Sequence, residues 1–486
     1  MSGRTTVLAF DFGASSGRAV RAVYDGRSFA YEEIHRFENI PRQEGGSLRW
    51  DFGMLADQVR RGIEKAGSFD SVGFDTWGVD FGLLGEDGRL LEDPVHYRDA
   101  RTEGILDRAL RRMDAAALYA ETGTQLLPFN TLFQLLALQE ERPELLARAK
   151  TLLFMPDLFV YQLCGNAVCE RSIASTSQML TLLDGRWNRR VLQAFGVPEG
   201  LLLPPVPSGT VAGSLPGGGA KVIAVAGHDT QCAVAALPVG EEDAAFLSCG
   251  TWSLLGCELD RPLLSEKSMR LGLSNELGAD GKIHYLKNII GLWLIQESRR
   301  AWRAKGEEYS YADLERLALE APPLRSFIDP DDPVFTPPGD LPARVRDYCE
   351  RTGQPVPQSV GEVMRCLYES LALKYRYAME QLEAATGKRF STLHILGGGT
   401  RDGLLCRMTA DSIGRRVVAG PVEATALGNI LIQLVALGAL PSLGAGRRMI
   451  AQAETLREYR PVSSAAWDAA YPRYTKLLES TGAETA

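Results

Sequence analysis

The sequence predicts a two-lobed α/β protein with mixed sheets, and three observations carry that expectation. The first is a repeated opening. Val7-Leu8-Ala9-Phe10, a turn of small residues and Ala19-Val20-Arg21-Ala22-Val23 read as strand, turn, strand, and residues Ala245 to Leu255 repeat the pattern. Gly13 and Gly250, one in each turn, stand 237 residues apart, close to half of the 486-residue chain. The second is the alternation of short apolar strands with helical stretches, the arrangement of α/β lobes. The third is size, because at roughly 150 residues per domain the chain exceeds one compact core. The expected division is 1–244 and 245–486.

In order, Ser71-Val72-Gly73-Phe74-Asp75 and Phe81 to Leu84 read as strands, being short, apolar and bounded by turn residues. Asn130 to Leu146 and Asp157 to Leu163 read as helices. Lys221 to Ala226 reads as a buried strand that runs into Gly227-His228-Asp229-Thr230 and an Ala-rich helix. Leu292 to Lys305 and Val360 to Thr386 read as helices, and Leu393 to Leu396 as a strand entering the triple glycine 397–399. The Pro-rich stretch from Pro322 to Pro342 is expected to be a surface loop within the second lobe. Ala424 to Gly446 carries no charge, yet Asn429, Gln433, Pro441 and several glycines point to a helix buried on all sides rather than a membrane span.

Hydrophobic content of 45% and charged content of 23% exclude a disordered, collagenous or coiled-coil chain. Net charge is −8, so no basic field attracts nucleic acid or anionic lipid. Four apolar residues before Asp11 are too few for the core of a signal peptide, and a cytoplasmic protein is expected. None of the eight cysteines forms a C-x-x-C pair, which argues against a structural zinc site. Cys349 and Cys366 are near enough in sequence to pair, but free thiols are expected in a reducing compartment. His35, His96, His284 and His394 share no metal-ligand spacing and read as structural or exposed.

Four segments have the composition for chemistry. Asp11 to Arg18 is a turn whose glycines let successive N–H groups converge on one anion. Ser15, Ser16 and Arg18 add donors, and Asp11 suits a hydrated Mg²⁺ bridging phosphates. Gly250-Thr251-Trp252-Ser253 repeats that turn and suits the other end of a polyphosphate. Gly397-Gly398-Gly399 permits a flat ligand against bare backbone. Asp229, at the start of a helix, is either a cap or a general base. A plain hairpin or structural turn is the competing reading of the other three, and no P-loop motif occurs. Asp75-Thr76-Trp77-Gly78-Val79-Asp80 places polar and aromatic groups at a strand end, as sugar sites do, although Trp77 also suits a core position.

Together these segments resemble the FGGY carbohydrate kinases across essentially the whole chain. The match is carried by Phe10 to Arg18, Asp75 to Phe81, Phe129 to Leu135, Met155 to Leu158, Ala174 to Gln178, Gly227 to Thr230, Ser248 to Ser253, Lys287 to Trp293 and the triple glycine. The resemblance implies an actin/hexokinase/Hsp70-like (ribonuclease H-like) fold with ATP in the interlobe cleft. It implies that Ala14, Ser15, Ser16, Gly17, Arg18 and Thr251 cradle phosphates, with Gln296 and Gly398 completing the nucleotide site. It further implies a sugar pocket of Gly78, His228, Thr230 and Asn288, with Asp229 as proton acceptor. Where relatives often carry Gln-Asn after the triple glycine, this chain has Arg401-Asp402. The implied activity is ATP- and Mg²⁺-dependent phosphorylation of the 1-hydroxyl of L-rhamnulose by a monomer or homodimer. The alternatives are another deoxyketose such as L-fuculose, or a catalytically silent nucleotide-dependent sugar-binding regulator.

Overall fold

The computed structural model describes residues 4–238 and 244–481. The expected lobe junction at 244–245 adjoins residues 239–243, which lie outside the described residues, as do the first three residues of the leader reading.

The first sheet contains Thr5–Phe12 (β1), Ser16–Tyr24 (β2), Phe29–Glu38 (β3), Ser71–Thr76 (β4), Thr210–Ser214 (β5) and Lys221–Ala224 (β6), in the order β3-β2-β1-β4-β6-β5. The second contains Ala244–Cys249 (β7), Trp252–Leu259 (β8), Ser274–Leu277 (β9), Ile283–Ile290 (β10), Thr392–Leu396 (β11), Arg416–Ala419 (β12) and Arg457–Tyr459 (β13), in the order β9-β10-β8-β7-β11-β12-β13. The two plans superimpose strand for strand. Each begins with an antiparallel hairpin (β1–β2, β7–β8), adds an antiparallel third strand, continues from its first strand into two parallel ones, and closes on an antiparallel edge. β9 is the addition in the second.

Alternation explains why β1 is apolar almost throughout. Leu8, Phe10 and Phe12 share a core with Leu55 and Val59 of the helix Phe52–Ala66 on one face. Val7 and Ala9 share another on the opposite face with the helix Ala424–Ala436, so both faces of the strand are covered. That second core also takes in Phe246, Leu254, Leu286 and Leu396 of the second sheet. Two helices, Asp229–Ala235 and Ala424–Ala436, therefore lie between the sheets and join both lobes to one apolar layer.

Ala424–Ala436 is the uncharged segment, and its polar residues have specific work. Gln433 donates to Leu8 O at 3.0 Å and accepts from Ser71 Oγ at 2.7 Å, while Asn429 donates to Asp75 Oδ2 at 2.7 Å. No helix among the described residues is long and apolar enough to cross a membrane. A Cβ on Gly428 would lie 1.8 Å from Cys232 O, so only glycine lets the two helices approach this closely. Gly428→Ala is expected to cost about 3 kcal/mol or more, the upper end for overpacking, as read from the urea midpoint.

Helix Val360–Thr386 has the span expected, opened by a Ser359/Glu362 capping box and closed by Gly387 at φ 70°. Other expectations need correction. The helix over 130–146 is two, Thr131–Glu141 and Pro143–Arg148, because Pro143 drives Arg142 to φ −138°. The strand from Lys221 stops at Ala224. The Pro-rich stretch is not all surface: Phe327, Ile328 and Asp329 are buried. Lys374, also buried, donates to Asp329 at 2.7 Å and lies 3.0 Å from Asp331, supplying the cation that a buried carboxylate requires. All eight cysteines are free thiols.

Candidate active site

A cleft of about 340 Å³ lies where the two hairpin turns face each other. Among the residues singled out from sequence, Asp11, Ala14, Ser15, Ser16, Arg18, Gly78, His228, Asp229, Thr230, Thr251, Asn288, Gln296 and Gly398 line it. Gly17 does not. A Cβ there would lie 2.3 Å from the Phe37 ring, which packs edge-on against Phe12. Gly17 thus makes room for an aromatic cluster.

The two turns share a closure. Gly13 N donates to Ser16 O at 2.9 Å and Gly250 N to Trp252 O at 2.8 Å. Both glycine amides are therefore spent inside their turns, and the donors left for an anion come from the residues that follow. Thr251 Oγ1 lies 3.4 Å from Gln296 Oε1.

Arg18 is held between two carboxylates. Its Nε and Nη2 donate to Asp11 Oδ2 at 2.9 and 2.7 Å, and its Nη1 donates to Glu423. Burial opposes the guanidinium charge, but Asp11 and Glu423 outweigh it and raise the pKa. Glu423 also accepts from Arg401 at 2.9 Å. Asp402 caps the helix Gly403–Ile413 by accepting from Leu405 N at 2.9 Å, and accepts from Tyr368 at 2.8 Å. The Arg-Asp pair after the triple glycine is thus structural: one residue reaches a carboxylate shared with Arg18, the other stops a helix end from fraying.

Asp229 is the first residue of its helix, not the cap, which is His228. Its Oδ1 accepts from Thr230 N at 2.6 Å, and its side chain is 32% exposed to the cleft. Burial pushes its pKa up to about 6; Asp11 adds to the rise, while His228 and Thr230 pull it back. His228 faces carboxylates with both ring nitrogens, Glu276 Oε2 at 2.9 Å from Nδ1 and Asp229 Oδ1 at 3.4 Å from Nε2. Burial works against a charged ring, but Glu276 and Asp229 prevail and raise its pKa.

Behind Asp11, in register across β1 and β4, stands Asp75, fully buried and bonded to Asn429 through Oδ2. Its Oδ1 is buried without a hydrogen-bond partner. Burial, then repulsion from Asp11 and Asp229, raises its pKa well above the usual range. Asp11, Asp75 and Asp229 repel one another, which makes the region beside Asp11 electrostatically favourable for a hydrated divalent cation. Asp80, by contrast, is a core acceptor: Trp50 Nε1, Trp77 Nε1 and Tyr97 N donate to its Oδ2 at 2.7, 2.9 and 3.1 Å.

Two family models match the chain: the N-terminal domain of the FGGY family of carbohydrate kinases over residues 6–236, and the C-terminal domain over 245–437. The chain belongs to the FGGY family of carbohydrate kinases. This FGGY kinase is 41% identical to the rhamnulokinase of Bacteroides thetaiotaomicron, over 97% of this chain and 99% of that protein. It is 40% identical to the rhamnulokinase of Enterococcus faecalis, over 92% of each chain. The gluconate kinase of Lactobacillus acidophilus superimposes with a TM-score of 0.79 at 17% identity, covering 98% of both chains. Plasmodium falciparum glycerol kinase with ADP superimposes at 0.76 and 15%, again over 98% of both. These last two share the fold, and the two-lobed α/β expectation is borne out.

Sequence reasoning missed several residues of the kinase cleft. Glu276 orients His228, and Gln125 Oε1 accepts from Asn288 Nδ2 at 3.0 Å. Val79 sits in the wall at φ 66°, a strained conformation for a β-branched residue, pinned by Thr176 Oγ1 on its N–H and Thr131 Oγ1 on its carbonyl. Val79, Thr131 and Thr176 lie in segments singled out from the sequence, whereas Glu276 and Gln125 left no signal there.

Proposed function

We propose that this carbohydrate kinase transfers the γ-phosphoryl group of ATP to the 1-hydroxyl of L-rhamnulose, giving L-rhamnulose 1-phosphate and ADP in the cytoplasm. The observation that carries the reading is near-full-length similarity to rhamnulokinases at 40–41% identity, joined to a cleft with one partly exposed carboxylate at a helix start. In this reading residues 1–244 hold the sugar through Gly78, His228 and Thr230, with Asn288 reaching across from the other lobe. Residues 245–486 hold the nucleotide through Thr251, Gln296 and Gly398, and Ala14 to Ser16 close on its phosphates.

Asp229 takes the proton of the 1-hydroxyl as that oxygen attacks phosphorus, and its pKa near 6 leaves it ionised at neutral pH. His228, held by Glu276, keeps the carboxylate oriented. Mg²⁺ would neutralise phosphate charge, and Asp11, the carboxylate that lines the cleft beside the phosphate turn, would hold it through its hydration shell, with the buried charge of Asp75 behind it adding attraction. Arg18 restrains Asp11 by a two-point contact and links it to Glu423.

A coupled ADP-release assay across a ketose panel tests this. L-rhamnulose is expected to give the highest kcat/KM, ahead of L-fuculose. Preference for another ketose would replace the sugar, and ligand binding without ADP release would replace the activity by that of a sugar-binding regulator.

A further inference from the structure

We propose that Glu258, Asp280 and His284 form a binding site for a divalent transition ion of the zinc class, separate from the catalytic cleft. Ligand atoms of these three residues all lie within 4.8 Å of one another. In a tetrahedral site, metal–ligand bonds of about 2.0–2.2 Å put paired ligand atoms roughly 3.3–3.6 Å apart. His284 Nε2 and Glu258 Oε1 already stand at 3.5 Å, and exposed Asp280, in the turn between β9 and β10, has to close by at most about 1.5 Å.

The hydrogen bonds around His284 determine which nitrogen is available. Gln231 Nε2 donates to Glu276 Oε2 at 2.7 Å, and a carboxylate only accepts, so the amide orientation is set. Gln231 then presents Oε1 to His284 Nδ1, which must be the donor. In the neutral ring the lone pair sits on Nε2. That atom is buried, makes no well-formed hydrogen bond, and faces Glu258 Oε1 at 3.5 Å. An imidazole oriented by a second acceptor, with its free nitrogen toward two carboxylates, is the usual outer-sphere arrangement of a metal histidine. Space beside Nε2 exists because residue 278 is glycine, where a Cβ would lie 2.5 Å from that nitrogen.

The surrounding charges leave the site anionic. Arg447 spans Glu258 at 2.7 and 3.0 Å and neutralises one carboxylate, and Lys282 is paired with Asp260. Asp280 Oδ1 accepts only the turn amide of Lys282, at 3.1 Å, which leaves lone pairs for an ion. One imidazole nitrogen and two carboxylates suit zinc-class ions better than Mg²⁺, which prefers oxygen alone. Through Gln231 and Glu276 the ring is three hydrogen bonds from His228, so occupancy is registered at the catalytic cleft.

The test uses the full-length, metal-stripped chain without nucleotide or Mg²⁺, titrated with Co²⁺ and followed by visible absorbance. A d–d band saturating at one Co²⁺ per chain and displaced by Zn²⁺ is expected. Asp280→Asn, on an exposed turn where folding is not at stake, is expected to weaken binding at least 10-fold, and His284→Gln to abolish it. With five histidines in the chain, imidazole NMR signals provide a second readout: Zn²⁺ is expected to shift those of His284 and His228 and leave His35 unmoved. Absence of a saturable band, equal affinity in Asp280→Asn, or a thiolate-to-cobalt absorption would each overturn the proposal.

Discussion

Replacing Asp229 by asparagine is expected to lower kcat by about 10²–10⁴-fold, the range for losing a general base, with KM for ATP nearly unchanged. The substitution keeps size and the contact with Thr230 N while removing basicity. The other acidic groups that line the cleft are already committed: Asp11 to Arg18, and Glu276 to His228 and Gln231. Asp75 and Asp80 are fully buried and lie outside the lining, so neither reaches a sugar hydroxyl without rearrangement. The pH profile supplies an independent reading. A carboxylate raised to about 6 accepts a proton only above that value, so kcat/KM is expected to fall tenfold per pH unit as pH drops below about 6. His228→Gln removes the neighbouring positive charge that pulls the Asp229 pKa down, which shifts the limb to higher pH. A wild-type profile flat to pH 5, or an Asp229→Asn enzyme retaining a large share of kcat, would move the base elsewhere.

The second large effect is expected at Gly398. A Cβ there meets nothing within 4 Å, so the fold accepts a side chain that projects into the cleft. Gly398→Val is expected to raise KM for ATP by about 10–100-fold, the equivalent of roughly 1–3 kcal/mol of steric conflict, with the melting temperature unmoved. Gly17→Val is expected to do the reverse. Its side chain strikes Phe37, so stability falls, and any loss of ATP use follows from unfolding. Isothermal titration with ATP beside a thermal melt separates the two, and unchanged ATP affinity in Gly398→Val would remove the triple glycine from the nucleotide site.

The features legible in the sequence are those encoded locally. Small-residue turns between apolar runs disclosed both hairpins, and the long helix was read with its observed bounds, Val360–Thr386, where the structure shows that local caps, Ser359 with Glu362 and Gly387, define its ends. Most cleft residues were legible for the same reason, since they sit in or beside turns at strand ends. Partners that meet only in space were not. Glu276 meets His228 48 positions away, and Gln125 meets Asn288 at a separation of 163. Reading histidines by their spacing to one another set His284 aside, because its neighbours are carboxylates: Asp280 four residues before it, and Glu258 opposite it on the adjacent strand. Proline content misled over 322–342 because proline marks the absence of an amide donor, not exposure, and the Asp329–Lys374 pair lies inside.

The position of the helix Ala424–Ala436 bears on how the chain is made. The first sheet is assembled from residues that leave the ribosome by position 224, yet its Val7 and Ala9 face waits for a helix encoded some 200 residues later. Until that helix emerges, apolar β1 and the donor-hungry carbonyl of Leu8 lack their cover, and vectorial folding of the first lobe stalls one layer short. A nascent chain arrested before residue 424 is thus expected to keep an open apolar flank, which closes only once the helix Ala424–Ala436 has itself emerged.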